Sequence, residues 1–121
     1  MSTRAKPALS HARLKTAVSR SAAQIFAALG DETRLRLIAV LCAGSAMSIA
    51  QLTAGTAITR QSVTQHLQVL ANAGLVRDVK VGRERLWAFE PAHLEEARRA
   101  LEAISQQWDH ALLRLKAAVE E

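Results

Sequence analysis

Hydrophobic positions keep a helical rhythm almost from the start of the chain. Leu14, Val18, Ala22, Ile25 and Leu29 recur at steps of three and four, one stripe of a period of about 3.6, and predict a first helix over 11–29. Gly30 is expected to close that helix in left-handed backbone. Asp31 offers a carboxylate to cap a second helix, with Glu32 in its first turn near the positive end of the dipole. This helix runs through Leu35, Ile38, Leu41 and Cys42 and stops before Gly44. Ser48-Ile49-Ala50-Gln51 has the form of a capping box and starts a short third helix that ends near Gly55. Thr59 is placed to cap a fourth over 60–73, which Gly74 ends. Two short helices joined by a tight turn form a helix-turn-helix.

The period then changes. Leu75 to Val81 is rich in valine, Gly82-Arg83 can turn, and Glu84 to Phe89 includes Leu86, Trp87 and Phe89, which together predict a β-hairpin. Its tip carries Lys80, Arg83 and Arg85. Pro91 suits the first turn of a last helix, over 91–119, because proline has no amide hydrogen to leave unpaired there. Leu94, Ala97, Leu101, Ile104, Trp108, Ala111, Leu115 and Ala118 follow at alternating steps, a seven-residue repeat. Leu112 adds to the apolar side. A helix of that length, roughly 42 Å, is longer than so small a domain can cover. The stripe therefore calls for a helix from another chain. The pattern as a whole predicts a mainly α fold with one β-hairpin: four helices, two strands and a long helix in the winged helix-turn-helix order.

Composition narrows the class. The chain has 121 residues, half of them apolar, enough for one domain with its own core. A single cysteine excludes an internal disulfide framework, and no apolar run reaches the ~20 residues that span a bilayer, so a cytoplasmic location is expected. The net charge of +5 is unevenly placed. Residues 1–20, including a basic arm over 1–10, hold five basic residues and no acid; residues 48–89 hold five basic against two acidic; residues 90–121 hold four basic against seven acidic. A polyanion is drawn to the first two segments and not to the third.

The stretches FAALGDETRLRLIAVL, SIAQLTAGTAITRQSVTQHLQVLANAGLV and VGRERLWAFEP resemble the ArsR family of bacterial repressors over residues 21–91. The match is most specific at Val63, Thr64, His66, Leu67, Leu70, Gly74 and Leu75. The resemblance implies a dimer built from the first and last helices, with two recognition helices entering successive major grooves. Leu14, Val18, Ala22 and Ile25, with Leu94, Leu101, Ile104, Trp108, Leu112 and Leu115, are the expected dimer contacts. Metal sensing does not carry over. Many members use paired cysteines where this chain has only Cys42, and others use aspartate and histidines on the last helix. Here His93 and His110 lie seventeen apart and Asp109 is adjacent to His110. The chain is similar to the branch without a recognised metal site; no metal and no cofactor is expected.

The DNA-reading candidates follow from position. Arg60, Gln61, Ser62, Thr64, Gln65 and His66 fall at the N-terminal end of the fourth helix, where donors and acceptors meet base edges. Gln61 and Gln65 share a face, and glutamine's amide can pair with adenine. His66 either joins them or bonds the turn backbone. Val63, Leu67 and Leu70 face inward. Lys80, Arg83 and Arg85 are placed for phosphates or the minor groove. Arg34 and Arg36 are expected to pair locally with Asp31 and Glu32, and Cys42 to be a small buried hydrophobe. The competing readings are a sensor responding to metal or thiol chemistry through Cys42 or His93 and His110, and a dimeric interaction module that ignores DNA. No glycine-rich phosphate loop, paired nucleophile and base, or convergent carboxylates support an enzyme.

Overall fold

Ser19 decides where the first described helix begins. In the computed structural model, which describes residues 10, 12–13, 18–54 and 56–120, Ser19 is extended and its Oγ accepts a hydrogen bond from the Ala22 amide at 3.1 Å. A serine that satisfies a first-turn amide with its own side chain favours a cap over a helix interior. Helix α1 is therefore Arg20–Leu29. Val18 lies in a bend, so the unbroken helix expected over 11–29 is interrupted at 18 and 19. Leu14 and nearly all of the arm expected over 1–10 lie outside the described residues. Gly30 differs too. Its φ of −73° is right-handed, because Asp31 turns to extended backbone and caps the next helix at once.

Helix α2, Glu32–Ala43, is held at its start by Asp31 Oδ2, which accepts from the Arg34 amide at 3.0 Å. It buries Leu37, Ile38 and Leu41. Leu35 and Cys42, expected on that stripe, are exposed. The buried face is rotated toward Leu37, since α2 packs on α1, on β2 and on the fourth helix at once. Helix α3, Ile49–Thr53, starts with both halves of the capping box: Ser48 Oγ accepts from the Gln51 amide at 3.2 Å, and Gln51 Oε1 from the Ser48 amide at 2.9 Å.

Helix α4, Arg60–Asn72, is capped by Thr59 and sends Val63, Leu67 and Leu70 into the core. There they join Ile25, Leu75 and Trp87, all nearly fully buried. Each such aliphatic side chain stabilises the fold by about 1.5–3 kcal/mol, so α4 is fixed through one face while the other stays free. Its exit is a Schellman motif: the Leu75 amide bonds Leu70 O and the Gly74 amide bonds Ala71 O, both at 2.9 Å. That geometry needs the positive φ of 80° at Gly74, costly for any residue with a Cβ.

Strands β1, Val76–Val81, and β2, Glu84–Phe89, pair antiparallel from Val76↔Phe89 to Val81↔Glu84. Between the strands only Gly82 has positive φ, 64°, the pattern of a type II′ turn with glycine first. At its base the hairpin is tied to the α2–α3 loop by an isolated bridge. Met47 N donates to Trp87 O at 2.9 Å and Trp87 N to Met47 O at 2.7 Å. Helix α5, Leu94–Glu120, begins three residues later than expected, because the Leu94 amide closes a turn onto Pro91 O. Ala97, Ala100 and Ala103 are buried on α5, which packs against α1. Ser19 Oγ joins the two helices by donating to Glu96 Oε2 at 3.2 Å.

Candidate nucleic-acid interface

The free face of α4 is polar for its first two turns. Arg60, Gln61, Thr64 and Gln65 are exposed, while Ser62 and His66 are half-buried. Thr59 Oγ1 accepts from the Ser62 amide at 3.1 Å, so the cap fixes the end of the helix that carries these groups. The Thr64 hydroxyl donates back to Arg60 O at 2.8 Å, which leaves only its lone pairs outward. Farther along, beyond the first two turns, Gln68 Nε2 donates to Asn72 Oδ1 at 3.1 Å. Gln61 and Gln65 therefore offer the outward amides of the first two turns.

His66 lies on the flank of this face and turns back. Its Nδ1 is 3.4 Å from an Arg34 guanidinium nitrogen and 3.9 Å from Asp31 Oδ2. These contacts are to the side chains of the α1–α2 turn and not to its backbone. Arg34 does more than the local pairing expected of it. Its Nε donates to Ala28 O at 2.6 Å and its terminal nitrogen to Ala27 O at 3.5 Å. One guanidinium thus closes α1 and touches α4. The hydrogen bond from the Arg34 amide, with the guanidinium charge nearby, holds the Asp31 carboxyl below its usual range. Arg36 pairs with Glu32 at 2.6 Å, as the spacing implies.

On the hairpin, Lys80, Arg83 and Arg85 are all exposed, but their situations differ. Arg85 is paired with Asp78 at 2.9 Å and lies 5.2 Å from the centre of the Trp87 ring. Arg83 sits in the turn itself, and Lys80 faces Arg85 across the strands. Nothing in the sequence singled out Asp78 as the partner. The diagonal pairing appears only once the register is known.

The proposed dimer residues divide in the same way. Ala22 and Ile25 are wholly buried inside the chain and have no surface to give a partner. Leu94 is half-buried. Val18, Leu101, Ile104, Trp108, Leu112 and Leu115 are exposed. Ala97, expected on that stripe, faces inward, while Val119 joins the exposed side. Cys42 is exposed rather than the buried hydrophobe expected, but partial desolvation by its neighbours still pushes its thiol up, away from the reactive thiolate. Among the described residues no three His, Cys, Asp or Glu side chains gather to hold a metal, and no helix is long and apolar enough to cross a membrane.

A capped helix with one face in the core and an amide-bearing face in solvent, followed at once by a basic-tipped hairpin, defines a winged helix-turn-helix DNA-binding protein. Comparison with known proteins agrees. A helix-turn-helix domain family matches residues 29–79. The chain is 32% identical to the HTH-type transcriptional regulator Rv2034 of Mycobacterium tuberculosis, over 77% of this chain and 83% of that protein. An ArsR-like transcriptional regulator from Rhodococcus sp. RHA1 has the same fold, with a TM-score of 0.67 and 37% identity over 81% of this chain and 92% of the other. A crystal structure of the ArsR family regulator RHA00566 superposes with a TM-score of 0.65 at 26% identity, covering 74% of this chain and 91% of that one. The chain belongs to the ArsR family of helix-turn-helix transcriptional regulators, and its relatives are named as regulators rather than enzymes.

Proposed function

We propose that the protein acts in the cytoplasm as a homodimeric repressor on a palindromic operator whose half-sites lie about one helical turn, ~34 Å, apart. The observation that carries this is the outward pair Gln61 and Gln65 on a helix whose opposite face, Val63, Leu67 and Leu70, is locked in the core. Arg60, Ser62 and Thr64 support the pair at bases or phosphates, and Lys80 and Arg83 grip the backbone beyond it. Two subunits join through their first and last helices, within a unit spanning 11–121. The basic arm over 1–10 adds phosphate contacts. A protein-docking face would carry aromatic or aliphatic anchors where α4 carries amides.

Selection of DNA fragments by the purified protein, followed by anisotropy titration, tests the reading. It should yield an inverted repeat bound at least about a thousandfold more tightly than random fragments. Gln65→Ala should relax the preference at one base position in each half-site, by roughly 1–3 kcal/mol. An unchanged base preference would remove α4 from the role of reader, and equal affinity for all fragments would remove sequence specificity altogether.

A further inference from the structure

Arg34 reaches three groups at once and must donate to each, because a guanidinium carries N–H donors and no acceptor. Its Nε donates to Ala28 O at 2.6 Å and a terminal nitrogen to Ala27 O at 3.5 Å. These two carbonyls at the end of α1 fix the plane of the guanidinium without help from α4. The other terminal nitrogen then stands 3.4 Å from His66 Nδ1. On that side the imidazole has one role open to it, that of acceptor. A neutral histidine that accepts at Nδ1 carries its proton on Nε2.

Asp31 pulls the other way, since a carboxylate beside Nδ1 favours a proton there. It does not win. Its Oδ2 is 3.9 Å from Nδ1, beyond hydrogen-bonding distance, and already accepts from the Arg34 amide at 3.0 Å.

The second ring nitrogen faces outward. Of the described residues that are buried or half-buried, only Trp87 has a side-chain nitrogen or oxygen both shut from solvent and unpaired. His66 Nε2 makes no hydrogen bond to any described residue, so it is open to solvent, on a side chain 22% exposed. It stands in the second turn of α4, one residue beyond Gln65 and on the flank of the polar face. In a major groove, base edges lie along the floor and phosphates along the walls, so a flank donor meets the backbone of the duplex.

We infer that Arg34 is a positioning residue for DNA binding: it fixes His66 as an Nε2–H donor, and that donor bonds a phosphate oxygen. The inference rests on α4 being the reading helix and adds a contact whose proton is placed from α2. A phosphate oxygen only accepts, so it takes this tautomer and not the other. Because the ring is neutral, the contact fixes position without neutralising a charge or releasing a counterion.

Nitrogen-15 spectra of the histidine side chains at about pH 8, above the ordinary histidine value of about 6.5, read the proton directly. The His66 signals, identified by their loss in His66→Gln, should show a protonated Nε2 and a bare Nδ1. A proton on Nδ1 overturns the inference without any DNA. Anisotropy titrations on a selected inverted repeat and on an unrelated duplex read the contact. His66→Ala should weaken binding to both by about tenfold or more, with the salt slope unchanged. His66→Gln returns an amide N–H near Nε2 and should keep most of the affinity. His66→Asn keeps an acceptor for Arg34 but lacks that reach, and should bind as poorly as His66→Ala. The reverse order would make His66 a tether between α2 and α4 and overturn the contact, and a loss confined to one base position would overturn the phosphate. Arg34→Met, which removes the donors, should let the proton onto Nδ1 beside Asp31 and weaken DNA binding as His66→Ala does. An unaltered ring spectrum in that variant overturns the part given to Arg34. Where Arg34→Met does not fold, the proton position in the unaltered protein and the order of the two amide variants decide. If Gln65→Ala relaxes base preference while His66→Ala leaves affinity intact, this contact falls and α4 remains the reader; if neither changes binding, both fall.

Discussion

Arg83 and Arg85 are two residues apart on one hairpin and should behave differently toward DNA. Arg85 is engaged by Asp78 at 2.9 Å and lies over Trp87, so the pair presents no net charge to a phosphate. Arg83 sits in the exposed turn with a full charge. Each phosphate neutralised by a basic side chain steepens the fall of log K with log salt by about 0.9. A dimer has two such turns, so Arg83→Ala should make the slope shallower by about 1.8. Across a fourfold rise in salt, from about 50 to about 200 mM, the variant should lose roughly tenfold less affinity than the unaltered protein. Removing the neutral pair as a unit, Asp78→Asn with Arg85→Gln, should leave the slope almost unchanged. Anisotropy titrations in a KCl series, on one operator and on one unrelated duplex, read both slopes. The reasoning fails if Arg83→Ala keeps the full slope, or if removing the pair flattens it as much as removing Arg83.

Two further outcomes follow from backbone and capping geometry. Gly74→Ala should destabilise the fold by about 1–2 kcal/mol in chemical denaturation, from its left-handed backbone alone. The added Cβ would also stand 2.6 Å from His93 Cδ2, so His93→Ala in the same chain should recover the crowding but not the backbone cost; complete recovery would show that φ is not the cause. Asp31 has its carboxyl held below the ordinary value by the Arg34 amide. Its contribution to stability is then fully present above that ordinary value, 3.8, and is lost as pH falls through the lowered folded one. The melting-temperature gap between the unaltered protein and Asp31→Asn should hold near neutrality and close in acid, and a gap independent of pH would count against the ionised carboxylate as its source.

What the sequence made legible were features set by neighbours within a few residues. The capping box at Ser48 and Gln51, the Thr59 cap, the inward spacing of Val63, Leu67 and Leu70, and the turn at Gly82 all depend on local chemistry, and each stands where expected. What escaped depends on which element lies across the way. The stripe of α2 shifted from Leu35 to Leu37 because three neighbours compete for its faces. Ser19 reads as one more polar residue in a helical stripe until its hydroxyl is seen capping α1 and reaching Glu96 on α5. Small residues misled most. Ala97 lies in line with the outward stripe, yet it is buried, because at that end of α5 a small side chain lets the helix approach α1 closely, and the stripe is exposed only from Leu101 onward.

The Met47–Trp87 bridge bears on how the molecule behaves in a crowded solution. A two-stranded ribbon offers two open edges to any passing strand, which is how β-rich surfaces aggregate. On β2 the middle of the outer edge is already occupied by Met47, and on β1 Arg77, Asp78 and Lys80 put charge along the other edge. Neither edge is left as a long, flat, apolar template. The hairpin can be rigid and solvent-facing without recruiting foreign strands.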